Sequence, residues 1–176
     1  MSTRRFVLIS AALLPIILAG CGFRPLYGQR EAGTNAALSK VRVDLIPNRV
    51  GQELRIRLQD AFDPTGSQPN KAYGLTVRLV TSTYSTSIRS DDTPSRNNFD
   101  VRAYFTLIDL ATRKPVLDSN AHAITSYNVL RSDYATASAE TDARTRAVTE
   151  LTAAIQTRLA VFFDQRARTA SADAAR

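Results

Sequence analysis

The feature that most constrains the fold is a series of three stretches in which apolar and polar residues alternate. Successive side chains of a β-strand point to opposite faces, so this alternation predicts strands with one buried face. The short turn at residues 112–115 (TRKP) separates the second stretch from the third. Consecutive strands with short connections favour an antiparallel meander. The apolar positions are Tyr73, Leu75, Val77 and Leu79, then Phe99, Val101, Ala103, Phe105 and Leu107, then Leu117, Ala121, Ala123, Tyr127 and Val129.

A further strand and a helix are predicted before this meander. Residues 40–46 (KVRVDLI) alternate, which places Val41, Val43 and Leu45 on one face of a strand. A proline then ends the strand, and Asn48 is the predicted N-cap of a helix. That helix ends at the sequence DPTG and has apolar residues at helical spacing, namely Val50, Leu54, Leu58, Ala61 and Phe62.

A second and longer helix is predicted from Asp133 to about Arg168, because apolar residues recur there at spacings of three and four. The resulting order, β-α-β-β-β-α, predicts an α+β fold: a two-layer sandwich in which a four-stranded mixed sheet packs against two helices. A chain of 176 residues suits one domain, which we place at residues 40–168, with a flexible tail at 169–176. The apolar positions of the long helix are Val148, Leu151, Ile155, Leu159 and Phe162.

Residues 1–20 have the organisation of a signal peptide. A short basic start is followed by an almost wholly apolar stretch from Phe6 to Ala19. About 14 apolar residues are too few to span a bilayer comfortably. The stretch ends in LAGC at residues 18–21, which resembles the lipobox of bacterial lipoproteins. We therefore expect cleavage before Cys21. The alternative is an uncleaved anchor helix with an incidental cysteine.

Cys21 is the only cysteine, so an intrachain disulfide is excluded. Its thiol can carry a diacylglyceryl group, and two or three acyl chains, at roughly 0.8 kcal/mol for each buried CH₂, anchor a protein durably. Residues 21–39 then form a lipidated N-terminus and tether. Gly22 is not the aspartate associated with inner-membrane retention, so the resemblance implies the outer membrane, on its periplasmic side. The general secretory route is preferred to the twin-arginine route, which the start of the chain matches only in part.

The sequence offers no recognisable active site. His122 is the only histidine, it is predicted on the solvent face of a strand, and no nucleophile elbow accompanies it. One histidine and a lipidated cysteine cannot form a zinc site, and no glycine-rich phosphate loop is present. We expect no enzymatic activity, no metal and no cofactor. A lipid-anchored hydrolase that uses His122 is the least favoured alternative.

The net charge of +7 favours partners with clustered negative charge. A secreted chain meets membrane surfaces rather than nucleic acid, so nucleic acid is not an expected partner. The connection at residues 87–98 carries Arg89 and Arg96, and arginine suits phosphate because its planar fork donates two hydrogen bonds at once. The alternative is that these are ordinary solvated arginines. Further basic residues lie in other loops, namely Arg113, Lys114 and Arg131.

The residues after the lipidation site carry a family resemblance. Residues 21–28 (CGFRPLYG) resemble the N-terminus of the LPS-assembly lipoprotein LptE in its alphaproteobacterial form, and the predicted order of elements agrees with that family's two-layer fold. The resemblance implies a non-catalytic plug that binds 1:1 in the lumen of the outer-membrane barrel LptD, helps it assemble, and assists lipopolysaccharide insertion into the outer leaflet. It also implies lipopolysaccharide binding by basic residues near the strand connection, which by location points to Arg89 and Arg96.

One other function shares most of these features. An auxiliary lipoprotein of an envelope phospholipid transport system would have the same lipid anchor and a similar α/β domain. Such a protein would co-purify with a membrane transporter complex, whereas a plug would co-purify with a large β-barrel.

Overall fold

A computed structural model describes residues 31–66, 68–88 and 94–174. The predicted signal peptide, Cys21 and Arg89 lie outside these residues. No helix within them is both long enough and apolar enough to cross a bilayer. The elements in chain order are α1 (Glu31–Leu38), β1 (Val41–Val43), α2 (Arg49–Phe62), β2 (Tyr73–Ile88), β3 (Pro94–Asp109), β4 (Pro115–Asn128) and α3 (Asp133–Ala174).

The four strands form one mixed sheet in the order β1-β2-β3-β4. β1 and β2 are parallel and are connected through α2, whereas β2, β3 and β4 form an antiparallel meander. The predicted α+β fold is therefore confirmed. The pairing of β2 with β3 is continuous from Tyr73 opposite Asp109 to Ser85 opposite Asn97, so odd and even positions keep to opposite faces along almost the whole hairpin.

The core lies between one face of the sheet and the helices α2 and α3, and we call this face the inner face. Burial of these apolar side chains is the main term that stabilises the fold. The sheet contributes Val41, Val43, Leu75, Val77, Phe99, Val101, Ala103, Phe105, Leu107, Ala121 and Ala123, and the helices contribute Leu54, Leu58, Phe62, Ala147, Val148, Leu151, Ile155, Leu159 and Phe163.

The end of β1 corrects the prediction for Leu45. The strand stops at Val43, and Leu45 is 74% exposed instead of sharing the inner face, while Ile46 is fully buried. Ile46 packs against the first turn of α2, where a Cβ at Gly51 would lie 2.6 Å from its Cγ2 atom. The missing side chain at Gly51 therefore leaves the space that Ile46 occupies in the core.

Asn48 precedes the first residue of α2, as predicted, but its side chain makes no capping hydrogen bond. Its φ of 72° and ψ of 162° lie in a region of backbone conformation that is adopted almost exclusively by glycine. The backbone carbonyl of Asn48 instead accepts the first helical hydrogen bond, from the N–H of Gln52 at 2.9 Å.

Two boundaries differ from the prediction. Part of the predicted tether, Glu31–Leu38, is a helix whose last residue, Leu38, is buried in the core. At the other end, α3 continues to Ala174, beyond the predicted limit at Arg168, and residues 165–174 are exposed. Both segments have few large apolar residues, so hydrophobic periodicity gave no signal for either helix.

Candidate functional site on the outer face of the sheet

We call the face of the sheet opposite the helices the outer face. It carries a cluster of charged, histidine and aromatic side chains. The strand register places Arg102 directly opposite Val80 on β2 and opposite His122 on β4. Its central residues are Arg78, Val80, Ser82 and Tyr84 of β2, Asn98, Asp100, Arg102 and Tyr104 of β3, and Asn120, His122, Ile124 and Ser126 of β4.

Asp100 is the polar centre of this face. Its Oδ1 atom lies 2.9 Å from Nε2 of His122 and 3.7 Å from Nε of Arg102. The Asp100 side chain is only 13% exposed, whereas the two partners are 40% and 55% exposed. One nearly covered carboxylate therefore orients an imidazole and a guanidinium that both remain accessible to solvent.

Aromatic and aliphatic side chains lie between these charged groups. The guanidinium carbon of Arg78 lies 4.5 Å from the centroid of the Tyr104 ring, a cation–π arrangement. Val80 and Ile124 are each 46% exposed on the same face. The outer face thus alternates cationic and apolar groups, an arrangement that can bind an anion which carries adjacent apolar substituents.

Ser82, Asp100 and His122 are not arranged as a catalytic triad. Ser82 is directly opposite Asp100 on β2, while His122 is on β4, so the carboxylate lies between the hydroxyl and the imidazole. A catalytic triad needs the imidazole in the middle, where it can take the proton of the nucleophile. The described residues also contain no cluster of three or more histidine, cysteine or acidic side chains that could hold a metal ion.

Arg96, one of the two predicted lipopolysaccharide-binding residues, lies on β3 at the hairpin end of the outer face. It is exposed and is paired in the sheet with Ser87 and Asn128. Among the described residues no carboxylate lies within ion-pair distance of its guanidinium, in contrast to Arg102. Arg89, the other predicted residue, lies outside the described part of the chain.

The basic loop residues do not form one patch. Arg131 follows β4 at the same end of the sheet as Arg96, whereas Arg113 and Lys114 lie in the turn between β3 and β4 at the other end. At about 3.3 Å per residue along β3, the two ends are about 40 Å apart. A single phosphate group cannot contact both groups.

Asp109 holds the β3–β4 turn in shape. Its Oδ1 atom accepts hydrogen bonds from the backbone N–H groups of Thr112, at 3.1 Å, and Ala111, at 2.9 Å. The Thr112 N–H contributes most to lowering the pKa of Asp109, because it stabilises the ionised carboxylate. The same hydrogen bonds hold the turn that contains Arg113, whose φ of 58° lies in the left-handed region.

Sequence reasoning missed Arg78 and Arg102 as members of this surface. Both residues occupy the polar positions of predicted strands, so the alternation assigns each to the solvent face. What the sequence did not supply was the register between the strands, and the register decides that these two cations, Asp100 and His122 lie close together.

Comparison with known proteins identifies the fold. No protein-family model and no curated protein matches the chain. A proposed lipoprotein of Caulobacter crescentus has 23% identity and a TM-score of 0.64, over 76% of this chain and 98% of that one. A minor lipoprotein of Acinetobacter baumannii has 13% identity and a TM-score of 0.51, over 69% and 91% of the two chains. An uncharacterised lipoprotein B of Nitrosomonas europaea has 12% identity and a TM-score of 0.50, over 71% and 86%. At these identities the similarity shows a shared fold.

Proposed function

We propose that this chain is an outer-membrane lipoprotein, anchored through Cys21, that faces the periplasm and fills the lumen of the LptD β-barrel one-to-one. In this role it helps the barrel assemble and assists the insertion of lipopolysaccharide, and it has no catalytic activity. The observation that carries the proposal is the fold. A mixed four-stranded sheet with two long helices on one face is what the resemblance at residues 21–28 implies, and solved lipoproteins have the same fold.

The surface of the domain is compatible with a position inside a barrel. The lumen of a large outer-membrane barrel is polar and filled with water, so a plug must present polar groups on most sides. The outer face does so with Arg78, Asp100, Arg102 and His122. On the opposite side of the domain, most residues of α3 that do not face the sheet are polar and exposed.

We further propose that Arg89 and Arg96 contact the phosphates of lipopolysaccharide. Arg96 supports this role because it is exposed and has no acidic partner among the described residues, so binding a phosphate would not require an existing ion pair to break. Charge-assisted bidentate hydrogen bonds from arginine to phosphate are among the stronger polar contacts in proteins. His122 has no catalytic role in this account, and its Nε2 atom lies 2.9 Å from Oδ1 of Asp100.

The experiment that tests this function is a mild-detergent pull-down of the tagged full chain from native membranes, with quantitative mass spectrometry of the co-purified proteins. We expect a large outer-membrane β-barrel in near-equal amount. A transporter complex in its place would contradict the plug and favour the auxiliary phospholipid-transport lipoprotein. The Cys21→Ala variant is expected to lose outer-membrane fractionation, and Gln29→Ala, in the predicted tether, is the matched control that should retain it.

A further inference from the structure

Three side chains at the centre of the outer face, Arg78, Arg102 and His122, are exposed, and we call them the outer-face cluster. The core and the helices that complete it lie on the other side of the sheet, so none of the described helices covers this cluster. The carboxylate beside the cluster, Asp100, has a side chain that is only 13% exposed. A partner that approaches this part of the face therefore meets positive charge before it meets the carboxylate.

The strand register holds Arg102 and His122 in a close pair. The Ser95 carbonyl accepts a hydrogen bond from the Val129 N–H at 3.1 Å, so odd-numbered residues of β3 direct their backbone groups towards β4. Arg102 is even-numbered, and its pair with His122 is therefore of the non-hydrogen-bonded type, in which Cα atoms are about 4.5 Å apart. Asp100 contacts both side chains. The guanidinium and the imidazole are thus oriented side by side before a partner binds.

Both arginines of the cluster can accept a new acidic partner at little cost. Nε of Arg102 lies 3.7 Å from Asp100, which is longer than a hydrogen bond, and no other acidic group among the described residues pairs with this guanidinium. Arg78 has no acidic partner in the described part of the chain, and the Tyr104 ring orients its guanidinium without neutralising the charge. Binding a carboxylate here would break no ion pair at Arg78 and only a long one at Arg102.

The shape and composition of this face favour a protein as the partner. The pairing of β2, β3 and β4 is uninterrupted around the cluster, so this part of the described sheet is an open face, whereas small-ligand sites are concave. Arginine and tyrosine are enriched at the energetically important centres of protein interfaces. Val80 and Ile124, each 46% exposed, flank the cations and would exclude water from ion pairs formed there, which strengthens such pairs.

We propose that the outer-face cluster binds acidic side chains on the lumenal wall of the barrel partner. The inference rests on the proposed function, in which the wall surrounds the domain and so lies opposite a sheet face that no helix covers. Alternate residues of a barrel strand face the lumen, which sets lumen-facing neighbours about 6.6 Å apart. Arg78 and Arg102 are diagonal neighbours on adjacent strands, with Cα atoms about 7–8 Å apart. Two acidic residues at positions i and i+2 of one barrel strand match this spacing.

Charge reversal in the tagged full chain, purified with its barrel from native membranes in mild detergent, tests this interface. Arg78→Glu with Arg102→Glu is expected to lower the co-purified barrel about tenfold, because like charges would then oppose each other. Arg113→Glu with Lys114→Glu makes the same change in charge at the far turn and should retain the barrel. Equal yields from both variants would overturn this inference alone, provided that the unsubstituted chain captures the barrel. An unsubstituted chain that captures no barrel would overturn the proposed function as well.

A second measurement leaves both arginines in place, so it does not depend on the folding of the reversed variant. Ile124 is replaced by the photoreactive residue p-benzoylphenylalanine, and the full chain is irradiated in native membranes. We expect an adduct with a barrel segment that has acidic residues at lumen-facing positions i and i+2. The same label at Val161, an exposed apolar residue on α3, is the control and should attach to a different segment.

The barrel segment identified in this way allows a charge-swap test. Reversal of its two acidic residues to arginine should restore the barrel yield of the charge-reversed variant and lower the yield of the unsubstituted chain. Absence of a barrel adduct at Ile124, an adduct with lipopolysaccharide in its place, a labelled segment without acidic residues, or no restoration by the charge swap would each overturn the inference.

Discussion

The two faces of the same sheet differ in almost every physical respect. The inner face is packed with aliphatic and aromatic side chains that exclude water, whereas the outer face carries charged groups interspersed with single exposed apolar residues. Both faces come from the same three long strands, and a residue's parity along the strand decides which face it joins. Stability should therefore depend on the inner face, and recognition on the outer face.

The largest expected effect is the loss of a large inner side chain. Leu151 on α3 is fully buried in the core, and Leu151→Ala should lower the free energy of unfolding by about 3 kcal/mol, because it removes apolar contacts and leaves a cavity. Ile124→Ala is the outer-face control, since Ile124 is 46% exposed, and it should cost clearly less. Urea denaturation measures the free energy of unfolding of both variants. Equal losses would contradict the prediction that stability depends on the inner face.

A hydroxyl on each face gives a finer comparison. The buried hydroxyl of Thr125 donates to the Ala143 carbonyl at 2.8 Å, so Thr125→Val should cost about 1 kcal/mol by leaving that polar contact unmade. Thr106, on the outer face, donates to Asp118 at 2.6 Å, where water can replace the hydroxyl. Thr106→Val is thus expected to be nearly neutral in the same denaturation assay. A larger loss at Thr106 than at Thr125 would contradict this account.

Substitution of Arg89 and Arg96 should change binding without changing the stability of the domain. We expect Arg89→Glu with Arg96→Glu to weaken lipopolysaccharide binding about tenfold, since each reversal replaces a donor fork with a repelled carboxylate. The matched control reverses Arg113 and Lys114, which lie at the far end of the sheet. Binding is measured by fluorescence titration with purified lipopolysaccharide. A similar loss in the control would indicate an unspecific charge effect in place of a site.

The contacts of Asp100 with His122 and Arg102 should contribute little to the free energy of unfolding. Its two partners are well exposed, and ion pairs of that kind contribute less than about 1 kcal/mol to stability. Asp100→Asn retains the shape and a hydrogen-bond acceptor, so it should shift the unfolding midpoint only slightly. A loss of unfolding free energy comparable to that of Leu151→Ala would mean that the outer face contributes substantially to stability.

The smallest predicted effect is the pH-dependent contribution of Asp109 to the stability of the fold. The pKa of Asp109 in the folded protein lies below its ordinary value of 3.8, so its contribution to stability is complete above that value and is lost as the pH falls through the lowered pKa. Asp109→Ala should therefore be slightly less stable than the parent chain at pH 7, and the difference should shrink in strong acid. Denaturation curves over that pH range measure it, and a constant difference would contradict the turn assignment.

Periodicity in the sequence was sufficient for most of the fold. Phe99, Val101 and Phe105 were assigned correctly to the core because alternation along a strand is a strong signal. Leu45 was assigned wrongly, because the chain leaves the strand after Val43, and only the packing of Ile46 against Gly51 reveals this.

The outer face was predicted less well. Arg96 was predicted to bind lipopolysaccharide from its position near a strand connection, and that role stays a prediction. The structure shows only that Arg96 is exposed and lies at the hairpin end of β3. The cluster of Arg78, Arg102, Asp100 and His122 was not identified, because its members come from three strands and are brought together only by register. Local pattern predicts which face a residue joins, whereas a site also depends on which residues are neighbours across strands.

We propose that this two-faced domain is held at a membrane by a lipid on Cys21. Intact mass spectrometry of the protein purified from native membranes, combined with labelled palmitate, tests it most directly. The account predicts a chain that begins at Cys21, carries two or three acyl chains and is labelled. A chain that still contains residues 1–20, with unmodified Cys21 and no label, would contradict it.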